Sequence, residues 1–204
     1  MLVLFLILLL AIIAFFKTDV KDKFIKPKYE DVIKSDIDYD SDGLDDYTDI
    51  LNGAKDFISK KPKYKSKYYY GGYPTDEYRV CTDIIWYALK NAGYDFKTLI
   101  DEDIKNNKDE YDEDVGDTNI DFRRVRNIKV YLDRNALKLA NDSDFNPGDI
   151  VVYKKHIAIV SDKVNSKNEN YILHQHMYQA YEYDGLFKNE ILGHYRWRLN
   201  DGKK

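Results

Sequence analysis

A single cysteine, Cys81, occurs in a chain of 204 residues. An internal disulfide is therefore excluded, and cysteine usage alone does not reveal the redox compartment. Basic charge is not in excess: 32 lysines and arginines stand against 36 aspartates and glutamates, for a formal net charge of −4. That balance gives no reason to expect a nucleic-acid partner. Prolines number 4 and tyrosines 19, and 44% of the residues are hydrophobic. This composition favours packed strands and helices over a disordered chain, and the length suffices for one domain with a substantial core. No internal repeat is visible.

Charge is also missing from the first sixteen residues, MLVLFLILLLAIIAFF, a run that Lys17 ends. As a helix it would span about 24 Å, somewhat short of a roughly 30 Å hydrocarbon core. Residues 1–16 read as a signal peptide or membrane anchor, although a basic n-region and an Ala-x-Ala site are both lacking. A buried core helix is the less favoured reading, because the run is hydrophobic all round. Lys17, Lys21, Lys23, Lys26 and Lys28 follow it, and the positive-inside tendency would keep that side cytoplasmic. The reading favoured here is an extracytoplasmic domain, secreted or held to the membrane by its N-terminal segment. Residues 17–37, polar and lysine-rich, read as a tether.

Beyond the tether, Leu44, Tyr47, Ile50, Leu51, Ala54, Phe57 and Ile58 recur at three- and four-residue steps and predict an amphipathic helix. Turn signals at Gly71, Gly72 and Pro74 mark a loop. A second helix is predicted from Cys81 to Ala92, stopped by Gly93. A third runs through DFKTLIDEDIKNN and a fourth from Arg123 to Leu137. After Pro147 and Gly148 the pattern changes to short β-rich runs, DIVVYK, HIAIVSD, NYILHQH and GHYRWRL. Helices first and strands later, without alternation, predict an α+β domain with a small antiparallel sheet.

Cys81 stands where an open polar loop becomes a helix. A thiol is a poor nucleophile until it ionises, and its free pKa is about 8.5. A helix start and a nearby histidine are expected to lower that value. Position alone leaves a buried structural thiol equally open. The histidines shift the balance. His156, His174, His176 and His194 all fall in the predicted strands, and His156 shares a strand face with Ala158 and Val160. A cysteine at a helix start facing strand-borne histidines is the arrangement of a thiol hydrolase.

The segments GGYPTDEYRVCTD, NIDFRRVRN, PGDIVVY, HIAIVSD, ILH and GHYR occur in the order and spacing of the bacterial domain-of-unknown-function family 1287. The chain resembles that family from about residue 43 to 197, and the family is similar to NlpC-like cell-wall cysteine peptidases of the papain-like superfamily. The resemblance implies an α+β papain-like (NlpC-like) hydrolase domain over residues 43–200. It also implies a catalytic set of Cys81 as nucleophile, His156 as base and His174 as the residue that orients the base. Two departures adjoin the implied site. Ala158 replaces a glycine, and Gln175 and His176 stand where the family has asparagine and glycine. The implied activity is cleavage of an amide bond in the cell envelope, with peptidoglycan peptides as the substrate class and no cofactor for catalysis. A non-catalytic cell-wall or ligand-binding module on the same fold, and a thiol acyltransferase, remain the competing classes.

Four further residues are candidates for contacting substrate. His176 lies one turn of the pleat beyond His174. Asp83 could orient substrate, although complementing the helix N-terminus is the favoured role. Arg123 and Arg124 could bind muropeptide carboxylates, although ion pairing within the helix region is slightly preferred. His194 and Arg196 read as strand packing, and no histidine or cysteine spacing resembles a zinc site. DYDSDGLDDYTD, residues 38–49, is a sharper signal. Asp38, Asp40, Asp42, Asp46 and Asp49, with Gly43 at the sixth position, match a D-x-D-x-D-G loop and suggest a structural calcium ion. The competing reading is an acidic helix cap.

Overall fold

The structure is a computed structural model that describes residues 28–142 and 144–198, together with residue 7. The segment 1–16 and the first part of the tether, 17–27, otherwise lie outside the described residues. Among the described residues no helix is long and apolar enough to cross a membrane.

Among the described residues the chain forms an α+β domain with four α-helices and a mainly antiparallel sheet. In order the elements are β1 (Lys28–Tyr29), α1 (Asp46–Ser59), β2 (Lys63–Tyr64), β3 (Tyr78–Arg79), α2 (Asp83–Asn91), α3 (Phe96–Asn106), α4 (Val125–Asn135), β4 (Leu137–Leu139), β5 (Ile150–Tyr153), β6 (His156–Val164), β7 (Asn170–Gln175), β8 (Ala180–Tyr183) and β9 (Ile191–Arg196). The main sheet runs β4-β9-β5-β6-β7-β8, and β1 adds to the far end of β6. Every pairing in it is antiparallel. The short β2 and β3 form a separate parallel pair.

Each long strand serves two cores, as period-two alternation requires. Ile150, Val152, Ile157, Ile159 and Leu173 face the helices and pack with Ile50, Ala54, Ile84, Ala88 and Leu89. The alternate residues Val151, Tyr153, Ala158, Val160 and Ile172 form a smaller core on the opposite face, with Leu186 and Ile191. Burying a Leu or Ile side chain fully is worth roughly 1.5–3 kcal/mol, so the first core carries most of the apolar stabilisation.

Several sequence boundaries move. Residues 28–37 are not a free tether: Lys28 and Tyr29 pair with Val164 and Lys163. The Glu30 N–H donates to the Asp162 carbonyl at 2.7 Å, and the Ile33 N–H to Asn146 Oδ1 at 3.0 Å. Half-buried Val32 packs on the helical core, so this stretch gains both backbone partners and apolar contact. The second helix starts at Asp83, with Cys81 and Thr82 in the turn before it. The fourth is cut short at both ends. A 3-10 turn, Asp121–Arg123, precedes it, and Leu137 leaves it to pair with Arg196. The strand β8 has no counterpart among the predicted elements.

Gly53 lies in the middle of α1, where α1 crosses α2. A Cβ there would lie 2.7 Å from Asn91 Cβ and 2.9 Å from Ala88 Cα. The overpacking costs about 1–3 kcal/mol against the roughly 1 kcal/mol that alanine gains over glycine in a helix, so Gly53→Ala should lower stability by up to about 2 kcal/mol. The midpoint of urea denaturation measures this.

Candidate functional site

Cys81 is partly buried, in the turn that leads into α2. Its thiol is the opposite of what a helix start suggests. Burial and the nearby Asp83 carboxylate push it up to about 11. The backbone N–H groups of Ile157, Thr82 and Cys81 itself favour the thiolate but do not prevail. Asp83 is the first residue of the helix, so its charge occupies the positive end that would otherwise have served the sulfur. The expected lowering of the thiol pKa is corrected on these grounds.

Two histidines do meet. His156 opens β6 and His174 lies near the end of the neighbouring β7. His156 Nε2 is 2.9 Å from His174 Nδ1, with the rings edge to face. His174 is 4% exposed, and its other nitrogen, Nε2, is buried without a hydrogen-bond partner among the described residues. Burial lowers His156 to about 4, helped by the charge on His176. Burial, His156 and His176 together lower His174 to about 3. Both rings are neutral at physiological pH.

The pair lies on the face of the sheet that carries the smaller core. His156 is two residues from Ala158, and His174 two from Ile172, both on that face. There the histidines line a cavity of about 620 Å³ with His176, Tyr153, Tyr181 and Tyr183, closed on one side by Gly185, Lys188, Asn189 and Glu190. His176 stands just past the end of β7, its ring centroid 5.8 Å from that of His174. Cys81 packs with the helical core and is not part of this lining. The thiol adjoins the N–H of Ile157, the residue after His156, and no hydrogen bond joins it to either ring among the described residues. The structure thus places Cys81 beside the strand end from which His156 projects, while the imidazole pair opens onto the tyrosine-lined cavity.

Asp83 and Arg123 are not substrate groups. Both are buried, and they form a forked ion pair, Nε to Oδ1 at 2.7 Å and Nη2 to Oδ2 at 2.9 Å. Asp83 also accepts from the Trp86 indole and the Val80 N–H, leaving neither oxygen free for a ligand. Arg123 also donates from Nη1 to the Lys67 carbonyl at 3.0 Å and lies over the Tyr69 ring. Arg124 is more exposed, pairs with Asp114 and Asp121, and does not line the histidine cavity. A second network unites the PGD and GHYR motifs. Asp149 accepts the Arg196 fork at 2.8 Å on each oxygen, and His194 Nε2 at 2.8 Å. His194 and Arg196 therefore tie β9 to the start of β5, as packing residues.

In the acidic loop Asp38, Asp40 and Asp42 remain exposed and close together. Asp46 and Asp49 are buried, each 2% exposed. Asp46 accepts from the Tyr39 N–H on one oxygen and from the Tyr94 hydroxyl on the other, so it is a hydrogen-bonding anchor at the start of α1. Asp38 is engaged in a comparable way, accepting the Asp42 and Gly43 N–H groups, one on each oxygen. Burial raises Asp49 to about 6, reinforced by the charges of Asp42, Asp40, Asp46 and Asp38.

The family model described as "Domain of unknown function (DUF1287)" matches residues 51–197, which include Cys81 and all four histidines. The chain belongs to the DUF1287 family. It is also 32% identical over 164 residues to the Uncharacterized protein YijF of Escherichia coli (strain K12), covering 72% of this chain and 80% of that protein. No solved structure matches. The DUF1287 match begins after the acidic loop, which is thus a feature of this chain outside the matched stretch.

The tyrosines of the cavity were missed in the sequence. Tyr181 and Tyr183 alternate in AYEY ahead of an Asp184–Gly185 turn, which is a strand signal of the same kind as the four that were read.

Two measurements check this electrostatic picture. Alkylation of Cys81 in the folded chain should still be accelerating between pH 9 and 10, whereas a rate that levels off near pH 8.5 contradicts a buried, Asp83-opposed thiol. The histidine pair should make folding acid-sensitive. Between pH 6.5 and about 4 the unfolded chain binds protons that the folded pair refuses. Stability should therefore fall as pH drops through that window, by up to about 1.4 kcal/mol per pH unit for each ring. A His156→Phe, His174→Phe variant should show a flatter profile in denaturant titrations at successive pH values.

Proposed function

We propose that this chain is a thiol-dependent amide hydrolase of the bacterial cell envelope, with an NlpC-like variant of the papain-like fold and peptidoglycan peptides as its substrates. The observation that carries the reading is the His156–His174 contact at 2.9 Å, at the strand end against which the Cys81 thiol rests. Membership of the DUF1287 family and the order of helices and antiparallel strands support it.

The roles follow from the chemistry. Cys81 packs on the helical face and the imidazole pair lies on the opposite one. The thiol would therefore have to meet His156 Nδ1 around the strand end, passing its proton there as the sulfur attacks the amide carbonyl carbon. The C–N bond of the resulting tetrahedral intermediate breaks, and His156 returns the proton to the departing amine. Water then hydrolyses the thioester, with His156 accepting its proton, to release the acid and regenerate the thiol. For this His156 Nδ1 must carry a lone pair, so Nε2–H must donate to His174 Nδ1. His174 is then a positioning residue that fixes tautomer and ring direction. With the thiol at about 11 and His156 at about 4, a resting thiolate–imidazolium pair is strongly disfavoured. Proton transfer would have to accompany attack on a bound substrate. Secretion or membrane anchoring through residues 1–16 would place the domain where peptidoglycan lies.

That same neutral thiol favours a second reading, a ligand-binding module that uses the histidine- and tyrosine-lined cavity without turnover.

Incubation of the full chain with purified peptidoglycan, followed by mass spectrometry of released fragments, separates the two. The hydrolase reading expects new amine and carboxyl ends that vanish with Cys81→Ala. His174→Ala should lower the rate about 10²-fold or more with circular dichroism unchanged, and His176→Ala should have a milder effect. Fragments that persist undiminished in Cys81→Ala would rule out the thiol. Retention of peptidoglycan without cleavage, in parent and variant alike, would establish the binding module.

A further inference from the structure

We propose that residues 38–49 bind one calcium ion through the carboxylates of Asp38, Asp40, Asp42 and Asp49, fastening the segment that follows β1 to the start of α1. This site lies apart from the histidine cavity and is independent of the hydrolase reading.

Three of the four carboxylates are already gathered, and Asp49 stands outside that cluster, so it must close on the ion as the loop's last ligand. Asp38, Asp40 and Asp42 each offer one oxygen, and these oxygens all lie within 4.8 Å of one another. Oxygens bound to one calcium at 2.3–2.6 Å can be separated by up to about 5 Å, so the spacing suits a shared ion. The backbone makes this possible at Gly43, whose φ of +95° lies in the left-handed region. Exposed carboxylates can also simply be hydrated, so this cluster does not decide the matter.

Asp49 does. It is 2% exposed, and its Oδ2 is buried with no hydrogen-bond partner among the described residues. A buried carboxylate oxygen without a donor is costly and uncommon in native proteins. The charges that bear on it belong to Asp42, Asp40, Asp46 and Asp38, which locates the carboxylate against the loop. Among the described residues no side chain supplies a hydrogen-bonding partner to that oxygen. A cation among these groups would give the orphaned oxygen a ligand and neutralise the mutual repulsion at once. In loop position, Asp49 is twelfth when Asp38 is first, the place of the closing ligand in such loops.

Asp46, the ninth position, is already committed to Tyr39 and Tyr94. It pins the loop by another route, since the Tyr39 ring stacks on Tyr94 at 4.1 Å. The donor set is carboxylate oxygen throughout, which selects hard cations and disfavours zinc or copper. An aspartate in place of glutamate at the closing position shortens the reach, so affinity should lie near the weak range of roughly 0.1–1 mM.

The test uses the full chain, stripped with a chelator and melted under circular dichroism with added calcium chloride. At 10 mM calcium, binding of this strength to the folded state should raise the melting temperature by about 3–10 °C. Magnesium, which needs a tighter octahedral shell, should raise it much less. Asp49→Asn and Asp40→Asn should each remove most of the calcium effect. In chelator they should melt no lower than the parent, because each relieves like-charge repulsion. If Asp49→Asn fails to fold, the exposed Asp40→Asn and Asp42→Asn carry the comparison. An unchanged melting point in the parent, an equal rise with magnesium, or a full calcium response in the folded Asp49→Asn or Asp40→Asn variant would overturn the proposal.

Discussion

The buried ion pair between Asp83 and Arg123 is the constraint on which the region around Cys81 depends. Moving two charges out of water is expensive, and the geometry must compensate fully. Here it does. Asp83 receives the Arg123 fork, the Trp86 indole and the Val80 N–H, while Arg123 reaches on to the Lys67 carbonyl. Thr82 adds a hydrogen bond to the Arg123 carbonyl. One cluster thus joins the loop before β3, the turn holding Cys81, the first turn of α2 and the approach to α4. It also sets the chemistry of the thiol, because the carboxylate that satisfies Arg123 opposes ionisation of the sulfur.

A parallel arrangement organises the other side of the sheet. Asp149, at the entrance to β5, is shared by Arg196 and His194 from β9 and by the backbone N–H of Asn146. This fixes the β5–β9 register, and β5 in turn carries β6 with His156 at its first position. The β6–β7 pairing then brings His174 to His156. Each step is antiparallel and local, so the histidine contact is the end product of two hairpins stacked on a charged anchor. The cavity beside it is walled by tyrosine rings, whose flat apolar faces and polar ends suit ligands with both characters.

The acidic loop follows a different logic. Where Asp83 and Asp149 are surrounded by donors, Asp49 faces other carboxylates and its buried Oδ2 has none. The contrast within one chain is informative. Asp83 and Asp149 are fully matched by donors, whereas Asp49, like Asp101, keeps one buried oxygen without a partner among the described residues. Residues 28–45, read from the sequence as partly tether, gain their order from β1, from Asp45 and Asp46 at the start of α1, and from that loop.

Periodicity and turn chemistry in the sequence determined the α+β class, the existence of all four helices and the four principal strands. Those features are local, and a repeat of 3.6 or 2 residues can be read without knowing the fold. The family was legible too, because its motifs are contiguous segments in a set order. The acidic loop was visible as spacing, although which aspartates stay free was not. Only the tertiary structure decided that Asp46 is consumed by Tyr39 and Tyr94 while Asp49 is left unpaired. Only it showed that Arg123 and Asp83 satisfy each other across 40 residues, removing both from the candidate substrate contacts. The protonation of Cys81 was beyond the sequence for the same reason. A helix start predicts a lowered pKa, but burial and the field of Asp83, two residues on, reverse it; the carboxylate was visible in the sequence, whereas the burial arises from packing between segments that the sequence keeps apart.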